Sequence, residues 1–158
     1  MKINKDNIEI INYKSEYKEK FKKLSYEWLY KYELFEPEDE LILNHPEKYI
    51  LAKGGFIFLA KFKDEVIGTI SLIPKENYIF ELAKLAVTEE YQKNGIAKML
   101  LNKAIKTAEK EDAEKIILYS NSKLKKAYQL YKNFGFEDVK IGETVYETAD
   151  VKMELKLN

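Results

Sequence analysis

The sequence predicts a mixed α/β domain, a single mainly antiparallel sheet covered by helices, and three observations predict it. Two runs rich in apolar and β-branched residues, 56–62 and 66–73, flank the polar turn Lys63-Asp64-Glu65 and read as a hairpin. Two segments, 15–33 and 96–111, instead repeat their apolar residues at spacings of three and four, the mark of helices with one buried face. Between hairpin and second helix lies a strand-like run over 78–87, followed by a glycine turn that leads straight into the helix. Strands and helices interleaved in this way need a sheet with helices packed on its faces.

Taken in order, residues 8–11 (Ile-Glu-Ile-Ile) form a first short strand. Over 15–33, Tyr17, Phe21, Leu24, Trp28 and Leu29 make a helical stripe, with Trp28 and its aromatic neighbours in the core. Pro37 suits a helix's first turn and opens a second, short helix to residue 43, which Asn44-His45-Pro46 ends; His45 belongs to that loop. Glu33, Glu36, Glu38, Asp39 and Glu40 gather around its start. Acids complement the positive end of a helix there, or else form a cluster that attracts a cationic amine. Gly54-Gly55 marks a turn, Pro74 closes the hairpin, and the third strand of this group covers 78–87. Gly95 opens the next helix, which buries Ile96, Leu100, Leu101, Ala104, Ile105 and Ala108. A buried strand follows at 115–120. The last helix, 124–134, carries Leu124, Ala127, Tyr128, Tyr131 and Phe134 on one face and stops at Gly135. Strands at 137–142 and 150–157 finish the order β-α-α-β-β-β-α-β-α-β-β, one domain over 1–158.

Composition narrows the function. The 158 residues suffice for one real core, with 46% of them apolar. The 27 basic residues are all lysine and are balanced by 27 acids. A neutral chain without arginine lacks both the general attraction to phosphate backbones and the bidentate side chain that reads bases, which argues against nucleic acid. With no cysteine there is no disulfide, thiolate metal site or cysteine nucleophile, and one histidine, His45, makes a histidine metal cluster or Ser-His-Asp triad implausible. No metal site is expected. No apolar run is long enough to span a membrane, and residues 1–6 lack the apolar segment of a secretion signal. The expectation is a soluble cytoplasmic protein, monomer or homodimer.

The stretch 81–101, Glu-Leu-Ala-Lys-Leu-Ala-Val-Thr-Glu-Glu-Tyr-Gln-Lys-Asn-Gly-Ile-Ala-Lys-Met-Leu-Leu, carries the chemistry. A helix N-terminus has unpaired N–H groups and partial positive charge, so it suits an anion such as a diphosphate. Gly95 lets the backbone approach, and Ala97 keeps the next turn narrow. The alternative is an ordinary strand-to-helix turn. Gln92-Lys93-Asn94-Gly95-Ile96-Ala97 fits Gln/Arg-x-x-Gly-x-Gly/Ala, and a strand of the form Glu-Leu-x-x-Leu-x-Val precedes it. A second segment, Ala127-Tyr128-Gln129-Leu130-Tyr131-Lys132-Asn133-Phe134-Gly135-Phe136, fits Ala-x-x-Leu-Tyr-x-x-x-Gly-Phe. With these motifs in this order of elements, the chain resembles the GCN5-related N-acetyltransferase (GNAT) superfamily. The ending 146–153, Tyr-Glu-Thr-Ala-Asp-Val-Lys-Met, is similar to a final strand of some small bacterial acetyltransferases. Leu124 stands where many members have Asn.

The resemblance implies transfer of an acetyl group from acetyl-CoA, as cosubstrate, to a primary amine on a small molecule or peptide. It implies that Gln92, Lys93, Asn94, Gly95, Ile96 and Ala97 hold the pyrophosphate, with Lys98 nearby. The edge of Leu85, Ala86 and Val87 would pair with the pantetheine arm like an added strand. Asn121 and Tyr128 are further cofactor-binding candidates, and Lys123, Lys125 and Lys126 could approach the adenosine phosphate. Backbone N–H near Leu85 or Ala86 would polarise the thioester oxygen. Glu81, six residues before Val87 like the base of the family's histone-acetylating branch, is the candidate base; the alternative is an exposed strand glutamate. Tyr131 is the candidate acid for the leaving thiolate; the alternative is one more core tyrosine among 12. A non-catalytic acyl-CoA-binding regulatory module is the competing reading.

Overall fold

The computed structural model describes residues 2–144 and 146–157; Met1, Val145 and Asn158 lie outside the described residues. Seven strands form one sheet in the order β1-β2-β3-β4-β5-β7-β6. They are β1 (Ile8–Asn12), β2 (Phe56–Phe62), β3 (Glu65–Lys75), β4 (Ile79–Val87), β5 (Lys115–Ser120), β6 (Glu137–Val139) and β7 (Val151–Lys156). Every pairing is antiparallel except β4 with β5. The helices are α1 (Lys18–Lys31), α2 (Pro37–Asn44), α3 (Pro46–Tyr49), α4 (Ile96–Lys110) and α5 (Lys125–Asn133).

Strand alternation explains why two cores form, one on each face. Phe58, Ala60, Ile70, Leu72 and Leu82 point to one side, where Ile96, Leu100, Leu101, Ala104 and Ala108 of α4 bury against them. Ile57, Leu59, Val66 and Ile73 point to the other, under Phe21, Leu24 and Leu29 of α1 and Ile42 and Leu43 of α2. Gly68 faces α4, where a Cβ would lie 3.1 Å from Leu100 Cδ1 and 3.2 Å from Ile96 Cγ2, so its missing side chain sets how closely helix and sheet approach.

Several expectations need correction. Pro74 does not close the hairpin; β3 runs on to Lys75 and pairs Pro74 with Phe80. Pairing with β2 ends at Phe56–Leu72, so Pro74 lies where β3 has a neighbour on one side only, the place a strand tolerates a residue without N–H. Pro46 ends α2 but also starts the extra turn α3, since proline fits a first helical position. The strand expected over 137–142 stops at Val139, and Tyr146 to Asp150 lie before β7 rather than within a strand.

The irregular pairing of β4 positions the cleft. β4 and β5 pair at three positions only, Ile79, Phe80 and Glu81 against Lys115, Ile116 and Ile117. Beyond Glu81 the strands part, and the sheet opens into a wedge. On its other side β4 shifts register against β3 between Thr69 and Ser71, with Lys84 at φ 56°. Such a bulge bends the strand and turns two successive side chains to one face.

Candidate active site

The wedge between β4 and β5 is a cleft of about 630 Å³. Its walls come from α1, β4, the start of α4, the end of β5, the start of α5 and the segment before β7. Leu85, Ala86 and Val87 form one lip. Their strand has no β5 partner beyond Glu81, which leaves a backbone edge toward the cleft. Gln92 lies at the end of that lip, its Nε2 donating to the Val87 carbonyl at 3.0 Å.

Residues 92–97 make the turn into α4. Lys93 and Gly95 adopt left-handed backbone, at φ 69° and 78°. Gly95 is the N-cap residue and, having no side chain, makes no side-chain cap to the first-turn donors of α4. Gln92, Lys93, Gly95, Ile96, Ala97 and Lys98 line the cleft. Asn94 does not: it is buried behind them, its Nδ2 donating to the carbonyls of Tyr91 (2.9 Å) and Gln92 (3.3 Å) while its Oδ1 accepts from the Ile3 N–H (3.0 Å). Its polar atoms hold the turn's shape.

Glu81 is not an exposed strand glutamate. It is 3% exposed and faces the α1–α2 side, where Oε1 lies 3.3 Å from Lys75 Nζ and Oε2 accepts from the Tyr146 hydroxyl at 3.1 Å. Tyr131 reaches the cleft from α5, its ring tilted on Phe136 at 5.7 Å between centroids. Burial pushes its phenol above the ordinary 10.0, so it keeps its proton. Glu81 and Tyr131 thus line one cleft from different elements.

Other expected residues are placed differently. Tyr128 is absent from the cleft lining; its hydroxyl donates to Asp138 across to β6. Asn121 lines the cleft, but its Nδ2 donates to the Thr148 carbonyl at 2.7 Å and its Oδ1 accepts from the Lys123 N–H at 2.9 Å. Lys123, Lys125 and Lys126 line the mouth. Trp28, expected in the core, packs half-buried against the core under α1 and α2 and also lines the cleft, and its indole N–H has no partner among the described residues.

Sequence reasoning assigned no site role to Lys84 or Tyr146 and took Asp39 and Glu36 only as part of an acidic cluster. Lys84 and Asp39 form a buried ion pair, each side chain 5% exposed. Glu36, half of a capping box with Asp39, reaches across to accept from the N–H groups of Glu147 and Thr148 and from Thr148 Oγ1. Tyr146 completes the group. Strict alternation along 81–87 assigns Lys84 to the face opposite Glu81; the bulge brings it round beside Glu81, and no local signal announced that bulge. The acids at the start of α2 were visible, but their partners lie 45 and more than 110 residues away.

Among the described residues no helix is long and apolar enough to cross a membrane, and no group of three or more His, Cys, Asp or Glu could hold a metal ion. The family model described as "Acetyltransferase (GNAT) family" matches residues 18–136. Human N-alpha-acetyltransferase 30 is 34% identical over 83 residues, half of this chain and 23% of the relative. N-acetyltransferase family 8 member 3 of Rattus norvegicus is 24% identical over 106 residues, 64% of this chain and 46% of the relative, so the chain spans less than half the length of these curated relatives. An acetyltransferase of the GNAT family from Staphylococcus aureus Mu50 superposes with a TM-score of 0.86 at 28% identity, covering 96% of this chain and 99% of that one. The PaiA N-acetyltransferase of Thermoplasma acidophilum, crystallised with coenzyme A, superposes at 0.73 with 22% identity, over 95% and 99% of the two chains. A family match over most of the length, on a sheet that splits where the motif residues meet, establishes that this chain belongs to the acetyltransferase (GNAT) family.

Proposed function

We propose that this protein transfers the acetyl group of acetyl-CoA to a primary amine by direct attack on the thioester. The observation that carries this is one cleft combining an unpaired strand edge, a helix N-terminus without a side-chain cap, a buried carboxylate and a buried phenol. These are the complementary features of a long ligand with a diphosphate, an amide-bearing arm and a reactive end. The turn 92–97 would bind the diphosphate through backbone N–H groups, with Lys93 and Lys98 beside it, and residues 85–87 would pair with the arm. Coenzyme A bound to a neighbour of the same fold supports this assignment.

Acetyl-CoA supplies an activated acyl carbon. The protein's part is to free and aim a nitrogen lone pair. Glu81 takes the proton that an ammonium must lose before it can attack. N–H groups near Leu85 and Ala86 favour the negative charge that develops on the carbonyl oxygen. As the nitrogen–carbon bond forms, the carbon–sulfur bond breaks with its electron pair on sulfur, and Tyr131 offers its proton to that sulfur. Burial disfavours phenolate and thiolate alike, so it leaves Tyr131 a hydrogen-bond donor to the departing group. The acceptor is an amine-bearing small molecule or peptide, and we place the reaction in the cytoplasm, carried out by a monomer or homodimer.

The test is a thermal-shift titration with acetyl-CoA, then thiol release with a panel of amines. Stabilisation by acetyl-CoA and amine-dependent thiol release are expected. Stabilisation without release on any amine would identify a binding module instead, and no stabilisation would remove the cofactor assignment.

A further inference from the structure

Glu81 does not meet the cleft alone. One carboxylate oxygen lies beside Lys75 Nζ at 3.3 Å and the other accepts from Tyr146 at 3.1 Å. Glu81 and Tyr146 both line the cleft, and Tyr146 is the more exposed of the two. The phenol is held from several directions. Lys84 Nζ lies over its ring, 6.0 Å from the centroid, and that ammonium is itself fixed by Asp39 of α2. The Tyr119 ring of β5 packs on it at 5.9 Å. Its own N–H donates to Thr144 Oγ1 at 3.2 Å, and the next two residues are clamped by the Glu36 carboxylate. A tyrosine on a loop, far in sequence from β4, is thereby aimed at one oxygen of a buried carboxylate.

We propose that Tyr146 is a catalytic residue that relays a proton from the acceptor ammonium to Glu81, with Lys84 as the residue that positions it. This rests on the amine-acetylating reading above. The ammonium donates an N–H to a lone pair of the Tyr146 oxygen. Its N–H bond breaks with the electron pair left on nitrogen, a new O–H bond forms on Tyr146, and the proton Tyr146 already carried passes to Glu81 Oε2. The amine ends neutral, Tyr146 ends neutral and Glu81 ends as the acid. Burial, then the neighbouring charges of Glu81, Asp39 and Glu38, push the Tyr146 phenol far above its ordinary range. Tyr146 therefore keeps a proton to pass on and does not accumulate as phenolate. Lys84 is the cation facing the ring.

The test uses the full chain with acetyl-CoA and four probe amines: spermidine, L-lysine, tyramine and an unblocked tetrapeptide. Thiol release is followed as a function of pH for the parent, Tyr146→Phe, Glu81→Gln and the double variant. The relay requires Tyr146→Phe and Glu81→Gln each to lower kcat by about 100-fold, within the usual reach of general acid–base catalysis, with KM for acetyl-CoA unchanged. The acidic limb of kcat/KM disappears in both, and the double variant is no slower than the slower single, because the two groups act as one unit. Lys84→Met lowers kcat but keeps the acidic limb, since donor and acceptor both remain. Independently of any substitution, the parent's rate in mixed light and heavy water should bow downward, as two protons in flight demand. Parent-like kcat in Tyr146→Phe, additive losses in the double variant, or a linear proton inventory overturns the relay while acetyl transfer stands. Parent-like kcat in Lys84→Met removes Lys84 from its positioning role. Absence of thiol release by the parent with every amine overturns the transfer reading and the relay together.

Discussion

Breaking the Lys84–Asp39 pair should cost far more stability than breaking any of the exposed ion pairs Lys31–Glu89, Lys115–Glu154 or Lys132–Asp138. Those pairs involve side chains 16–72% exposed, and in the Lys75–Glu81 pair Lys75 is 46% exposed. Lys84 and Asp39 are each 5% exposed, so neither is screened by water or salt. In Lys84→Ala the Asp39 carboxylate keeps only the Glu36 N–H at 2.9 Å and stays buried without its counter-charge. Removing one partner of a buried pair typically costs about 3–5 kcal/mol. For a domain of this size each kcal/mol shifts the melting temperature by about 2–4 °C, which gives about 6–20 °C. Replacing both partners with apolar residues, Lys84→Met with Asp39→Leu, removes the unpaired charge and leaves only the lost cap of α2, about 1 kcal/mol. The double variant should therefore be more stable than Lys84→Ala. Urea denaturation near neutral pH measures all three through the midpoint at constant slope. Lys84→Ala within about 0.5 kcal/mol of the parent, the range of ordinary surface substitutions, would refute the reasoning.

Three further outcomes follow from the geometry. Gly55→Ala places a Cβ 2.6 Å from the Leu72 carbonyl oxygen and 2.7 Å from that of Ile50; both are backbone atoms, so a loss of about 1–3 kcal/mol is expected in the same urea assay. Gly95→Ala meets only the flexible Lys5 side chain at 2.9 Å, but its φ of 78° costs about 1–2 kcal/mol and stiffens the turn against an anion, so acetyl-CoA affinity by calorimetry should fall about tenfold. Asp150 is held below its ordinary 3.8, first by the Ser122 hydroxyl and then by the Ser122 N–H, so the stability it adds is present above about pH 4 and fades as pH falls through the depressed value. The difference in melting temperature between the parent and Asp150→Ala should accordingly be constant from pH 7 down to about 4 and shrink below that.

Most of the fold was legible because its signals are local. The stripe of α4, the hairpin of β2 and β3 and the glycine that opens α4 are each encoded within one turn or one pair of strands. Where local reasoning erred, a neighbour was the cause: Pro74 continues a strand because β2 has already ended, a fact about another element.

The sequence by itself determined most of the elements, the turn at 92–97, and that Glu81 lies on the strand before that turn and Tyr131 on a later helix, because propensity, periodicity and capping act over a few residues. Tertiary structure alone decided that β4 parts from β5 after Glu81, that a bulge turns Lys84 to the Glu81 face, and that Glu36, Asp39 and Tyr146 close around them. The long-range side-chain contacts of Glu36, Asp39 and Tyr146 join residues from 45 to 112 positions apart, and their partners are selected by which charges and donors must be satisfied once water is excluded from the cleft wall, a condition absent until the chain has folded.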